Sequence, residues 1–226
     1  MEKKVYDLTH EIQTGMMEFP GDPEIVIEEA LVHDTDYCHV NRLQLGSHSG
    51  THIDSPYHFI EDGKRINDYP ITKFTGRAVV MDISGRTPGA PVTSLDVQNI
   101  KHRVRPGDIL IVKSGMNKEY GSPAYLRHPY FPKDAAQAIV DLGISIVAVD
   151  FLNVDPTLWE DWQAHPIFLS NDVLIVENLA GTEQLTDRIE YDAYFMPLRI
   201  ADSDGAPIRA MVVEREKEPP KIMKPW

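Results

Sequence analysis

Short runs rich in apolar and β-branched residues recur from one end of the chain to the other. Several of them are continuously apolar, which is typical of strands that are covered on both faces. The runs are VYDLTH (5–10), EIVIEEALV (24–32), HVNRLQLG (39–46), RAVVMDI (77–83), DILIVKS (108–114), SIVAVD (145–150), VLIVENL (173–179), DAYFMPLRI (192–200) and PIRAMVV (207–213). This pattern predicts a chain rich in strands.

One amphipathic helix is predicted between these strands. The segment PKDAAQAIVDLG has Pro132 in its predicted first turn, apolar residues at helical spacing, and Gly143 at its end. Residues 93–100 and 156–163 are weaker helix candidates. Strands interspersed with a few helices predict the mixed α/β class.

The chain shows no internal repeat and no long linker, so we expect one strand-rich domain over residues 1–213. The segment that follows, EREKEPPKIMKPW (214–226), is charged and rich in proline, which is typical of a surface arm. Two interpretations of this arm stay open. It is either a frayed tail or a segment that packs on a second subunit.

The composition is that of an ordinary globular domain, with 42% hydrophobic and 25% charged residues. A formal net charge of −13 argues against a nucleic acid or an anionic membrane as the main partner. No run approaches the roughly 18 apolar residues of a membrane span, and the opening MEKKVYDLTH lacks the apolar region of a signal peptide. Cys38 is the only cysteine, so no disulfide forms within the chain. We therefore expect a cytoplasmic protein.

The segment LGSHSGTHIDSPYHF (45–59) concentrates polar side chains at even positions: His48, His52, Asp54 and His58. In an extended chain, alternate side chains face the same side. A straight strand would nevertheless separate the Cα atoms of His48 and His52 by about 13 Å, at ~3.3 Å per residue. That separation is near or beyond the reach of two imidazoles that bind one cation. The chain must therefore bend, and Gly50 lies midway.

Two neutral imidazoles and one carboxylate form a ligand set that suits zinc and is acceptable for manganese or iron. Three protein ligands leave one position open, as in catalytic sites. His58 lies beyond Pro56 and is free to act as an acid or a base. The alternative is that these are ordinary surface or core histidines. Their regular spacing, in a chain with only 9 histidines, favours the metal site.

The run HSGTHIDSPYHF resembles the H-x-G-T-H-x-D-x-P-x-H-F signature of the cyclase family of metal-dependent hydrolases, which includes bacterial kynurenine formamidase and isatin hydrolase. The resemblance extends over most of the chain, through YDLTHEI, FPGDP, VAVDFLNVDP, HPIFLSNDVLIVENL, PLRI and DGAPIRA. Two segments depart from it. Asn153 stands where relatives commonly have serine, and residues 114–131 are more similar to the wider family than to its kynurenine formamidase branch.

The resemblance implies a role for each motif residue. His48, His52 and Asp54 match the ligands of a first metal site, and His58 matches the catalytic histidine. Asp54 would also bridge to a second metal, which a later histidine and glutamate complete. The residues at the matching separation are His165 and Glu177.

Two further positions concern the surroundings of this ligand set. Phe19 stands before P-G-D, where the resemblance implies a wall of the substrate pocket, and a core aromatic is the alternative. Asp150 follows a predicted strand. A carboxylate at the end of a strand more often braces a loop, so we leave Asp150 out of the expected site.

The fold implied by the resemblance is the swivelling β/β/α type with flanking helices, in a homodimer or homotetramer. The implied activity is hydrolysis of an amide-type bond. The leading expectation is an arylformamidase, and the second is a hydrolase that opens a cyclic amide such as isatin. The implied cofactor is a divalent metal, zinc or else manganese, with one or two ions per chain. A lyase or cyclase with the same metal, and a small-molecule binder with a structural metal, are the remaining alternatives. A structural metal would leave His58 without a role.

Overall fold

The computed structural model describes residues 3–157 and 162–215, and within these ranges the chain forms ten strands and four α-helices. The strands are β1 (Val5–Asp7), β2 (Val26–Leu31), β3 (Val40–Gln44), β4 (His52–Asp54), β5 (Thr75–Asp82), β6 (Ile109–Lys113), β7 (Ile146–Val149), β8 (Leu174–Glu177), β9 (Tyr191–Pro197) and β10 (Gly205–Glu214). The helices are α1 (His33–Asp36), α2 (Ser94–Ile100), α3 (Lys133–Asp141) and α4 (Ala164–Ser170). Every predicted strand run contains a strand, which confirms the strand-rich α/β prediction.

Seven of these strands close into a barrel-like sheet in the order β10-β4-β8-β7-β6-β5-β9. Closure occurs because β9 pairs with both β5 and β10. The neighbours β5, β6, β7 and β8 are parallel, whereas the other pairs are antiparallel. The long strand β10 pairs with β9 along one edge, and with β4 and then β1 along the other. The short strand β4 is thereby held between β8 and β10.

Alternate residues of the parallel strands face two different cores. Ile109 and Ile111 of β6 belong to the core inside the barrel, together with the inward side chains of the other strands. Leu110 and Val112 belong to a second core, which also contains the buried side chains of α2, α3 and α4. Both faces of these strands are therefore covered, and this explains the continuously apolar runs in the sequence.

Two of the three predicted helices are present in the structure. The prediction at 93–100 is confirmed by α2, and the prediction that ends at Gly143 is confirmed by α3. Pro132 is the residue before α3 rather than part of its first turn. Half of the candidate over 156–163, residues 158–161, lies outside the described ranges, and the helix described after it begins at Ala164. Part of the predicted arm, 216–226, also lies outside them, and Glu214 still pairs within β10.

A two-stranded hairpin, formed by β2 and β3, stands apart from the barrel sheet. Most of its residues are exposed, and its large exposed side chains include Tyr37 and Leu43. The hairpin joins the segment that contains Phe19 to the turn that contains His48. Among the helices in the described part of the chain, none has the length and apolar character needed to cross a membrane.

Candidate metal centre

The motif segment changes conformation three times within a few residues. After β3 the chain makes a turn that contains His48, and Gly50 then adopts a positive φ of 61°. Strand β4 follows, and a 3₁₀ turn over Pro56–His58 ends the motif. The predicted bend at Gly50 is confirmed, because it brings the ring centroids of His48 and His52 to 5.0 Å. The polar side chains of the motif therefore face one side because of these turns as much as because of strand alternation.

A first cluster of possible ligand atoms is formed by His48, His52 and Asp54. Nδ1 of His48 lies 2.8 Å from Oδ1 of Asp54, and Nε2 of His52 lies 3.3 Å from the same oxygen. His52 and Asp54 are buried, whereas His48 is half-buried. The three ligand atoms lie within 4.8 Å of one another, close enough to bind one cation.

A second cluster is formed by Asp54, His165 and Glu177. Nε2 of His165 lies 3.8 Å from Oδ2 of Asp54 and 3.5 Å from Oε1 of Glu177. Antiparallel pairing of β4 with β8 places His52 directly opposite Glu177. All three residues of this cluster are buried. The two oxygens of Asp54 thus face different clusters, and the carboxylate is shared between them.

Each imidazole of the two clusters has its outer nitrogen engaged by an oxygen acceptor. Nδ1 of His52 donates to the carbonyl oxygen of Gly50 at 2.9 Å. Nδ1 of His165 donates to Asp155 at 2.7 Å, and Nε2 of His48 donates to an oxygen of Asp204 at 2.8 Å. Such hydrogen bonds fix the tautomer and orientation of a metal-ligating histidine. The nitrogen that faces the cluster is in each case the one left for a cation.

Two buried atoms at the junction of the clusters have no hydrogen-bond partner: Nε2 of His52 and Oδ2 of Asp54. An unpaired polar atom in a protein interior is costly, and an unpaired carboxylate oxygen more so. A divalent cation on each side of Asp54 would satisfy both atoms. Imidazole nitrogen and carboxylate oxygen form a donor set that such a cation accepts. The residues present therefore fit the metal that the sequence predicts.

The Cyclase family model matches residues 6–156, a range that includes the whole motif and more than half of the chain. The chain belongs to the Cyclase family. This confirms the resemblance that the motif indicated, and it places His48, His52, Asp54 and His58 within the matched part of the family.

Known relatives cover nearly the whole of this Cyclase-family chain. A kynurenine formamidase from Bacillus mycoides is 27% identical over 207 residues, which are 91% of this chain and 95% of that protein. A structure described as a potential metal-dependent hydrolase with cyclase activity has a TM-score of 0.80 at 25% identity, over 96% of this chain and all of the other. Isatin hydrolase A from Labrenzia aggregata, solved with benzyl benzoate, has a TM-score of 0.86 at 19% identity, over 93% of each chain. This last likeness shows a shared fold.

A cavity of about 250 Å³ opens onto the clusters of this Cyclase-family protein. Its lining includes Phe19, His58 and Trp162 together with the histidines of both clusters. The ring of Phe19 meets Trp162 edge-on, with centroids 5.8 Å apart. Phe59 packs behind them and stacks on His165 at 4.5 Å. Of the predicted site residues, all but Asp54 line this cavity, and Phe19 lies in its wall. Asp54 is fully buried beneath the lining, between the histidines of the two clusters.

In the metal-free protein these clusters hold protons. Burial alone would lower the pKa of His48, but the carboxylates of Asp54 and Asp204 raise it to about 9. Burial also opposes protonation of His165, yet its hydrogen bond to Asp155 is the main cause of a pKa raised to about 10. A cation must displace these protons, so its affinity should rise with pH.

Two carboxylates of the centre were missed in the sequence. The carboxylate of Asp155 accepts hydrogen bonds from the backbone N–H groups of Gln163, Ala164 and His165, which lie eight to ten residues further along the chain. It thereby caps the start of α4. Asp204 contacts His48 across 156 residues of chain. Asp155 lies in VAVDFLNVDP and Asp204 begins DGAPIRA, and both segments resemble the family, so the resemblance is the signal that could have found them. Their spacing alone indicates no contact with a histidine.

Asp150 braces a loop, as expected. Its carboxylate accepts hydrogen bonds from the backbone of Ser114 and Gly115 and from the hydroxyl groups of Ser114 and Thr182. These bonds hold the loop after β6 against the segment after β8. The residue has a structural role outside both clusters.

Proposed function

We propose that this protein is a metal-dependent hydrolase of an amide-type carbon–nitrogen bond, with an N-formyl aryl amine as its substrate. The observation that carries the proposal is the shared Asp54 carboxylate. Its two oxygens face two buried histidine–carboxylate clusters, and both clusters open onto one cavity. The similarity to kynurenine formamidases over 91% of the chain supports the same chemistry.

The two clusters would hold the metal. His48, His52 and Asp54 would bind a first ion, and His165 and Glu177 would bind a second together with Asp54. A bound divalent cation supplies a Lewis acid for the carbonyl oxygen and lowers the pKa of water toward neutrality. Burial of Asp54 and Glu177 excludes bulk water from their oxygens, so each carboxylate stays available to the cation.

His58 moves the proton. It lines the cavity, and its ring centroid lies 4.0 Å from that of His48 and 5.8 Å from that of His165. It accepts a proton from the attacking water and returns it to the departing nitrogen as the carbon–nitrogen bond breaks. General acid–base help of this kind contributes roughly 10²–10⁴-fold to a rate.

The aromatic wall formed by Phe19 and Trp162 supports an aryl substrate. Flat apolar rings pack edge-to-face or offset against aromatic side chains. The carbonyl group that reacts would lie toward the two clusters, and the ring would lie against the wall. This arrangement suits N-formylkynurenine, whose formyl group is carried by an aryl amine.

A cyclic amide such as isatin is a second candidate, and the charge of the cavity favours it. Among the cavity-lining residues in the described ranges there is no lysine or arginine, whereas Asp22 and Glu177 are acidic. N-formylkynurenine has a carboxylate that would find no such partner there. A neutral cyclic amide needs none, and ring opening uses the same attack on a carbonyl carbon.

A substrate panel on metal-quantified protein tests the proposal. Formanilide, N-formylkynurenine and isatin are assayed before chelation, after chelation, and after zinc is restored. We expect hydrolysis of at least one formylated aryl amine, lost with the metal and regained with zinc. A fully loaded protein that hydrolyses none of the three would contradict the proposal and favour a binding protein.

The matched control for this assay is His58→Ala. The variant should keep its metal content and lose roughly 10²–10⁴-fold in turnover, because a proton shuttle is removed while the ligands stay in place. If metal content and activity both fell in this variant, His58 would be a metal ligand. The proposed role of His58 as an acid–base residue separate from the ligands would then be wrong.

The finer properties of the centre are proposals as well. We propose zinc as the metal, with manganese as the alternative, in a cytoplasmic homodimer or homotetramer. Elemental analysis of protein purified without added metal addresses the first point. Light scattering coupled to size exclusion addresses the second.

A further inference from the structure

Asp204 is fixed to the motif through its backbone. Its carbonyl oxygen accepts hydrogen bonds from the backbone N–H of Ser55 at 2.8 Å and from the Ser55 hydroxyl at 2.9 Å. The next residue, Gly205, pairs with Asp54 in the sheet. A Cβ atom at Gly205 would lie 2.8 Å from the carbonyl oxygen of Ile53. Only glycine allows this approach, so Asp204 is placed next to the motif by the start of β10.

One oxygen of Asp204 contacts two imidazoles with different proposed roles. Oδ2 lies 2.8 Å from Nε2 of His48, a ligand of the first cluster. The same oxygen lies 3.2 Å from Nδ1 of His58, the proposed acid–base residue. The two rings lie 4.0 Å apart and are tilted by 34°. The carboxylate therefore joins the metal ligand to the residue that moves the proton.

These contacts determine which nitrogen of each ring carries hydrogen. A carboxylate accepts hydrogen bonds, so Nδ1 of His58 is a protonated atom. Both nitrogens of His48 face carboxylates, Nδ1 toward Asp54 and Nε2 toward Asp204. When a cation in the first cluster takes the lone pair of Nδ1, the hydrogen of His48 lies on Nε2. His48 then presents Nδ1 to the first cluster, where it faces Asp54. His58 presents an unprotonated Nε2, which is the form that a general base requires. A buried carboxylate fixes the catalytic imidazole of serine proteases in the same way.

His48, His58 and Asp204 could also be considered a third ligand cluster, because their polar atoms lie close together. The geometry of His48 argues against a cation there. When its Nδ1 binds a cation in the first cluster, its Nε2 carries the hydrogen that Asp204 accepts. A protonated nitrogen has no lone pair for a metal.

We propose that Asp204 is a positioning residue that holds His48 in its metal-binding tautomer and His58 in its base tautomer at the same time. The part of this inference that concerns His58 rests on the proposed function. The part that concerns His48, and the tautomers of the two rings, does not rest on the proposed function. It can be tested without any substrate.

The first test is the tautomer of His58 in the zinc-loaded wild-type protein. Long-range ¹H–¹⁵N spectra distinguish a ring protonated at Nδ1 from one protonated at Nε2, and His58→Ala assigns the signal. We expect the Nδ1-protonated form in the wild type and its partial or complete loss in Asp204→Asn. An Nε2-protonated His58 in the wild type would overturn the proposal, whatever the variants do.

The second test is metal affinity. Asp204→Asn should bind the same number of zinc ions at saturation but should bind one of them about 10–100-fold more weakly, the usual effect of losing an outer partner of a ligand. Asp202→Asn is the matched control, because its side chain is exposed and lies two residues away. Loss of one ion at saturation would make Asp204 a ligand, and unchanged affinity would remove its role toward His48. Either result would contradict the proposal.

The third test is a double-mutant comparison at saturating zinc. Asp204→Asn should lower kcat by about 10²–10⁴-fold with little change in KM, because it acts through a proton-transfer residue. In a His58→Ala background the same substitution should lower kcat no further, although it should still weaken zinc binding. Fully additive losses of kcat would overturn the link to His58. If the wild type hydrolyses no amide, the proposed function fails, and the spectra and zinc affinities still decide the role of Asp204.

Discussion

The two ligand clusters meet at Asp54, but the chain builds them in different ways. The first takes all its residues from the motif, between His48 and Asp54, and one tight bend at Gly50 brings them together. The second joins β4 to α4 and β8, and it forms only when the barrel has closed. The first is partly exposed at His48, whereas the second is buried throughout. A local turn can therefore define half of a metal centre, and the other half requires the whole fold.

Asp54→Asn should have the largest effect, because it changes the one residue that both clusters share. An amide is a weaker and uncharged ligand, and it cannot bridge two cations as a carboxylate does. We expect loss of both metal ions and of nearly all hydrolysis, with a barrel that still folds. Elemental analysis and circular dichroism measure the two outcomes. A variant that retained both ions would show that the clusters do not depend on the shared carboxylate.

Glu177→Gln should separate the clusters. Glu177 lies opposite His52 in β4–β8 pairing and accepts a hydrogen bond from the backbone N–H of Val154 at 2.9 Å. Glutamine can keep that bond but weakens the second ion, so we expect stoichiometry to fall from two to one and hydrolysis to slow greatly. Calorimetric titration of zinc into metal-free protein measures the stoichiometry. Unchanged stoichiometry and rate would leave a one-metal centre built on His48, His52 and Asp54.

The difference between the clusters also limits what the sequence can predict. The apolar runs predicted the barrel strands because both faces of those strands are covered. The motif predicted the first cluster, including its bend, from spacing and ligand chemistry alone. His165 and Glu177 came only from the family resemblance, since nothing in their local sequence distinguishes a ligand from a core residue.

Other features had no signal in the pattern of apolar and polar residues. Strand β4 has three residues, two of them polar, and it owes its conformation to β8 and β10 on either side. Helix α4 begins where the distant Asp155 caps its first N–H groups. Asp204 likewise reaches His48 and His58 only through the pairing of β10 with β4.

Metal-free protein should lose stability as the pH rises. The pKa values of His48 and His165 are raised in the folded state, to about 9 and about 10. Their contribution to the free energy of unfolding is therefore complete below about pH 6.5, where the same histidines are also protonated in the unfolded chain. This contribution is lost as the pH rises through the pKa values of the folded state.

Thermal unfolding of chelated protein between pH 6 and pH 10.5 measures this trend. We expect a falling Tm, and a flatter profile for the zinc-loaded protein, in which the cations have already displaced the protons. A Tm of the metal-free protein that rises over this range would contradict protonated histidines in the clusters.

Gly50→Ala should have the smallest effect, and it should act on one cluster. Gly50 has φ of +61°, which costs a residue with a Cβ atom about 1–2 kcal/mol. The added methyl group would meet only Met16 and Ile12, at ordinary contact distances of 3.4 Å or more. We expect weaker binding of the first ion and unchanged binding of the second, measured by the same titration. Gly85→Ala is the control, because Gly85 also has a positive φ but lies away from the centre.

The central claim is that one carboxylate, Asp54, divides its two oxygens between two metal ions. Anomalous diffraction at the zinc absorption edge, from crystals of zinc-loaded protein, tests this most directly. We expect two peaks about 3.5–4 Å apart, one among His48, His52 and Asp54 and the other among Asp54, His165 and Glu177. A single peak, or a peak among His48, His58 and Asp204, would contradict it.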